Sequence, residues 1–169
     1  MAPVPTPFPQ ASDCEGSGLQ STDLDRFVKA QRDVYSRALG EIEAGAKQSH
    51  WMWFIFPQLA GLGQSPMARC YAINGLGEAR NYLSHSLLGS RLAECTDRML
   101  GWAGKRSATA ILGEVDALKF RSSMTLFQLA APDGPLRERF THALDAFCQG
   151  RLDERTLHLL HLGGAASTQ

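Results

Sequence analysis

In Leu88-Gly89-Ser90-Arg91-Leu92-Ala93-Glu94-Cys95-Thr96-Asp97-Arg98-Met99-Leu100-Gly101-Trp102, the apolar residues Leu88, Leu92, Cys95, Met99 and Trp102 advance by four, three, four and three. This 3.6-residue period predicts an amphipathic helix with one buried stripe. The same period recurs on both sides. Leu24, Phe27, Val28, Val34, Tyr35, Ala38, Leu39 and Ile42 predict one first helix, capped by Thr22, with Asp25 in its first turn and Gly45 after its end. Arg26, Lys29, Arg32 and Arg37 lie mostly off that stripe and read as a solvated face. Ser65-Pro66 is a helix start, and Asn74 is placed to cap a helix carrying Leu76, Ala79 and Leu83. Ser107 caps a turn ending at Gly113, and Val115, Leu118, Ser122, Thr125, Leu126 and Leu129 then line one side of a further helix. The turn Pro132-Asp133-Gly134-Pro135 precedes the stripe Leu136, Phe140, Ala143, Leu144 and Phe147, which stops at Gly150. Asp153 caps a last helix through Leu162. The expected fold class is mainly α, a single compact multi-helix domain over residues 23–162 with little or no sheet. Residues 1–20, with Pro3, Pro5, Pro7 and Pro9, read as a disordered tail, and residues 163–169 as a frayed one.

Composition narrows the function. A chain of 169 residues is one ordinary domain, able to bury roughly 68–70% of its unfolded surface. Its 17 basic and 17 acidic side chains cancel, which argues against an extended nucleic-acid surface but leaves room for a local cationic patch. No apolar run approaches the roughly 20 residues of a membrane helix, and the amino terminus lacks the pattern of a secretory signal. Cys14, Cys70, Cys95 and Cys148 are widely spaced, without a Cys-x-x-Cys pair. Cys70, Cys95 and Cys148 therefore read as reduced core residues of a cytoplasmic protein. His158 and His161 lack further ligands, so no metal is expected, and Gly61-Leu62-Gly63 lacks the spacing of a dinucleotide or phosphate loop, so no cofactor is implied.

Two segments are candidates for chemistry. His50-Trp51-Met52-Trp53-Phe54-Ile55-Phe56-Pro57-Gln58 is apolar at nearly every position, so periodicity leaves helix and strand open. It reads either as core or as a pocket wall on which Trp51, Trp53 and Phe56 stack a flat ring, with His50 and Gln58 as polar contacts. The second segment, Asp116 to Thr125, interrupts an apolar helix with Lys119, Arg121, Ser122, Ser123 and Thr125. Asp116, Lys119 and Ser123 fall on one patch and Ser122 with Thr125 on the next. A cation with hydroxyls suits a phosphate or carboxylate; the competing reading is an Asp116–Lys119 pair with hydroxyls bonding back along the helix. A Ser/His/Asp set from His50, Asp116 and Ser122 or Ser123 has no Gly-x-Ser-x-Gly elbow behind it.

The chain resembles the bacterial domain of unknown function 1810 family. The likeness rests on His50 through Leu59, Gly61-Leu62-Gly63, Tyr71-Ala72-Ile73, Glu78-Ala79-Arg80, Tyr82-Leu83, Leu88-Gly89, Arg91-Leu92, Asp116, Lys119 and Ser122 through Phe127. It spans roughly Leu24 to Leu160 and implies a mainly helical fold. Ser86 departs from it, standing where proline is common. Ser49-His50-Trp51 and Gln58 are also similar to a segment of NADAR proteins, linked to NAD and ADP-ribose chemistry, although the glutamate of that segment is missing. This likeness implies N-glycosidic hydrolysis, with Asp116 orienting or activating water and Lys119 binding phosphate. The leading expectation is a pocket for a nucleotide-like or ADP-ribose-type ligand. It is held by Trp51, Trp53, Phe56, Gln58, Lys119, Ser122, Ser123 and Thr125, with His50 and Asp116 as the catalytic pair if the protein is an enzyme. The alternative is a protein-interaction module or oligomerising domain without catalysis, using the aromatic run as a groove.

Overall fold

The run Ser122-Ser123-Met124-Thr125-Leu126-Phe127 is buried at every position, so the helix that carries it lies inside the core. This helix, α8 (Glu114–Ala130), is the centre of a computed structural model that describes Pro9 and residues 24–167, with side chains through residue 161. Around it lie α1 (Asp25–Gln31), α2 (Tyr35–Glu43), α3 (Met52–Ile55), α4 (Pro66–Cys70), α5 (Leu76–Ser84), α6 (Leu88–Leu100), α7 (Ala108–Leu112), α9 (Pro135–Cys148) and α10 (Glu154–Ser167). Helices α5, α7, α9 and α10 pack on α8, and α6 joins α2, α5 and α9. The protein is thus a single, mainly helical domain. The described residues contain no strand, only an isolated parallel bridge between Leu59 and Ile73. No helix among them is long and apolar enough to cross a membrane.

Several boundaries follow the local chemistry. The Ser65 hydroxyl accepts from the Ala68 amide at 3.1 Å, with Pro66 at the first helical position. The Ser107 hydroxyl accepts from the Ala110 amide at 3.0 Å. Asp153 Oδ2 accepts from the Thr156 amide at 3.0 Å and its hydroxyl at 2.6 Å. Gly45 leaves α2 at φ 71°, where an added Cβ would lie 2.8 Å from the Trp102 ring. The α8 hydroxyls bond back along the helix: Ser122 to the Leu118 carbonyl at 3.2 Å and Thr125 to the Arg121 carbonyl at 2.8 Å.

Other expectations need correction. The expected first helix is two, α1 and α2, broken at residues 32–34, where the Val34 amide bonds the Gln31 carbonyl in a tighter turn. Asp33 and Val34 are weak helix formers, and the apolar period runs unbroken through the turn, which hides it from pattern reading. The Thr22 cap lies outside the described residues, as does the proline-rich stretch apart from Pro9. Gly75, at φ 128°, occupies the cap position expected for Asn74. Helix α10 passes Leu162 and reaches Ser167, since Gly163-Gly164 costs a helix little more than about 1 kcal/mol per residue and Ala165-Ala166 favours it. Cys95 and Cys148 are free thiols, but Cys70 is disulfide-bonded. Arg26 is not on a solvated face: it is buried, pairs with Glu78 at 2.9 Å and donates to the Cys70 and Ala72 carbonyls. It sits at the edge of the α1 stripe, where the 70–72 turn offers those carbonyls.

The aromatic segment resolves as a single helical turn, α3, and most of it is core. Trp51, Phe54 and Phe56 are fully enclosed, and Phe56 meets Phe120 of α8 edge-on at 5.1 Å. The Ser49 hydroxyl does not cap α3 but donates to Glu41 Oε2. Glu41 Oε1 accepts from the Gln48 and Ser49 amides at 2.6 and 2.8 Å and from the Trp51 indole N–H at 3.0 Å. One carboxylate on α2 thereby fixes the 48–51 loop.

Two outcomes follow. Arg26→Met leaves the Glu78 carboxylate buried without its partner, and urea denaturation is expected to read a loss of about 3–5 kcal/mol. At Glu41, burial acts to raise the carboxyl pKa, but the hydrogen bonds from Ser49, Gln48 and Trp51 outweigh it and hold the group below its usual value of 4.5. A lowered folded pKa stabilises at pH above the unfolded value and ceases to as pH falls through the folded one. The urea midpoint of the wild type should therefore exceed that of Glu41→Gln at neutral pH, with the gap closing below about pH 4.5.

Candidate functional site

Past Phe120 the core surrounds α8; before it, the helix emerges. Val115 and Leu118, expected on the inward stripe, are 66% and 61% exposed. One face of the first turns of α8 is left uncovered by the other described residues, so the stripe pattern there continues into solvent. Opposite them runs the segment 150–157, which leaves α9 through left-handed Gln149 and Gly150 and enters α10 at the Asp153 cap. Between the two lies a cleft of about 990 Å³, closed on a third side by Gln58, Leu62 and Gly63. The Thr125 hydroxyl holds the walls together by accepting from the Asp153 amide at 2.9 Å.

The walls divide by chemistry. Leu62, Val115, Leu118, Leu152 and Leu157 give an aliphatic surface. Lys119, Arg121, Arg151 and Arg155 bring four cations, against the carboxylates of Asp153 and Glu154. Asp153 is largely committed to its cap. The cleft therefore combines positive charge with apolar area, as a site for an anion with an organic body requires.

Beside the cleft stands an ion cluster. Asp116 receives the Lys47 ammonium at 2.8 Å and that of Lys119 at 3.5 Å. Each lysine also lies over an indole, Lys47 at 5.1 Å from Trp51 and Lys119 at 5.2 Å from Trp53. Since Lys47 already neutralises Asp116 closely, the more exposed Lys119 is the cation shared with the cleft.

Of the residues singled out in the sequence, Gln58, Lys119 and Ser122 meet in the cleft. Trp53 reaches it through Lys119. His50 is exposed and does not line it, and Asp116 faces the two lysines instead. Trp51, Phe56, Ser123 and Thr125 are enclosed, so no ring can stack on the two aromatics without unpacking the core. The pattern missed Arg151 and Arg155, four apart around a helix cap, because such spacing is ordinary for a solvated helix start. It missed Lys47 and Glu41 because their partners lie on other elements. Among the described residues no group of three or more His, Cys, Asp or Glu is placed to hold a metal.

Comparison with other proteins agrees with this architecture. A conserved hypothetical protein of Mycobacterium tuberculosis, known from its crystal structure, is 46% identical; the match covers 84% of this chain and 99% of that one, with a TM-score of 0.78. No curated protein matches. The sequence profile described as "Protein of unknown function (DUF1810)" fits residues 21–160. With most of its length matched in this way, the chain belongs to the DUF1810 family.

Proposed function

We propose that this protein binds a small nucleotide-like anion in the cleft between α8 and the 150–157 segment. The observation that carries the reading is the lining itself: four cations and an aliphatic wall around about 990 Å³, a volume at the upper end of ordinary small-molecule sites. Lys119 and Ser122 supply a charge and a hydroxyl from α8, and Gln58 an amide from the facing loop. The ligand's apolar body rests on Leu118 and Leu157 rather than on an aromatic ring. ADP-ribose-type compounds remain within this class. Hydrolysis has less support, because both oxygens of Asp116 are engaged by ammonium groups and His50 stands outside the lining.

One observation favours a second reading. Among the described residues, Val115 and Leu118 are two of three large apolar side chains left exposed, and they are neighbours on one helix face. A protein-interaction surface would centre there, not on the aromatic run.

Thermal unfolding separates the two. A ligand present at about a hundredfold over its Kd stabilises by about 2.7 kcal/mol, worth roughly 5–10 °C in a domain of this size. Adenosine monophosphate or ADP-ribose should produce such a rise in wild type and a smaller one in Lys119→Ala. No rise with any nucleotide, together with self-association that Leu118→Glu abolishes in sedimentation experiments, would replace the first reading by the second.

A further inference from the structure

Arg121 stands on the ridge that separates the large cleft from a smaller one. The smaller cleft, of about 320 Å³, lies across that ridge on the adjacent face of α8 and is lined by Thr109, Glu114, Ala117, Phe147 and Cys148. Leu118 and Arg121 belong to both. Helical spacing explains this: residues 115, 119 and 122 turn toward one cleft, 114 and 117 toward the other, and 118 and 121 lie between.

The guanidinium is incompletely matched. Its Nε is enclosed and has no acceptor, although the side chain as a whole is 33% exposed. Its nearest carboxylate oxygen, Asp153 Oδ1, is 4.0 Å away, beyond hydrogen-bond reach, and Oδ2 of the same group is committed to Thr156. The exposed third of the side chain leaves the guanidinium open to an anionic ligand, and an anion there offsets the cost of holding a partly buried cation that its own carboxylate does not reach. The Cys148 thiol supplies no anion, since burial pushes its pKa up to about 11 even with Arg121 opposing.

We propose that Arg121 is the anion anchor, and that the ligand carries its anionic group between two organic arms, as a pyrophosphate diester does, with one arm in each cleft. The larger arm occupies the 150–157 side. The smaller arm lies against Phe147, whose ring gives this side the aromatic contact that the large cleft lacks. This inference rests on the reading of the large cleft as a ligand site.

Calorimetric titration with two probes tests it: adenosine monophosphate, with a terminal phosphate, and diadenosine pyrophosphate, with a central one. Wild type should bind the pyrophosphate about tenfold or more tightly than the monophosphate. Arg121→Gln should weaken both by about tenfold or more, the loss of a charged hydrogen bond. Thr109→Trp, at an exposed position lining the small cleft, should weaken only the pyrophosphate. Circular dichroism checks folding; if Arg121→Gln is unfolded, Arg121→Lys and Thr109→Trp decide. Equal binding of the two probes, or indifference to Thr109→Trp, overturns the two-armed ligand while leaving the large cleft a binding site. Indifference to the Arg121 substitutions overturns the anchor. Failure of both probes to bind wild type overturns this inference and the cleft reading together.

Discussion

A helix enclosed on every side sets the terms for the rest of this fold. From Ser122 to Phe127, α8 is buried at every position, so its hydroxyls depend on acceptors inside the protein, and that of Ser123 has none among the described residues. Ser122 and Thr125 turn back on their own helix, and Thr125 also receives the Asp153 amide. That last bond ties the start of α10 to the core helix at one defined place. The Phe56–Phe120 contact ties the aromatic segment to the same helix from another direction. The surrounding helices supply apolar area to cover it, and the ends of α8 are where that cover runs out.

The candidate site is a consequence of this arrangement. At its amino-terminal end, one face of α8 is uncovered by the other described residues, leaving Val115 and Leu118 bare and Lys119 and Arg121 partly exposed. The 150–157 segment, held by the Asp153 cap, stands opposite and contributes Arg151 and Arg155. The charges that cancel over the whole chain are thus unevenly distributed in space, with cations gathered at the mouth of an apolar cleft. The Lys47–Asp116–Lys119 cluster fastens the 46–51 loop to α8, and its Trp51 and Trp53 contacts give each lysine a fixed resting place. A lysine that one carboxylate shares with another cation is available to a ligand at little electrostatic cost.

The helices were legible where the sequence period reports a face, as from Leu88 to Trp102, and where caps are local, as at Ser65, Ser107 and Asp153. Pattern reading failed where burial has no period. The run around Trp51 to Phe56 is apolar on nearly all sides because all of it but Trp53 is enclosed, so its composition carries neither helix nor strand and invites a binding role. The turn at residues 32–34 preserves the apolar phase and is silent for that reason. Val115 and Leu118 continue a stripe that no described helix covers, something only the packing reveals. Lys119 and Ser122 were legible as polar interruptions in an apolar helix. Arg151 and Arg155 were not, because what makes them notable is the cleft they face, and that depends on a contact between residues 28 positions apart, Thr125 and Asp153.

Amide chemical-shift mapping during titration with adenosine monophosphate tests the cleft most directly. The account predicts that the largest changes fall in residues 115–122 and 150–157, the two walls, with Gln58 to Gly63 moving less. Changes confined to the loop around Lys47 and His50, or none at saturating nucleotide, would contradict it.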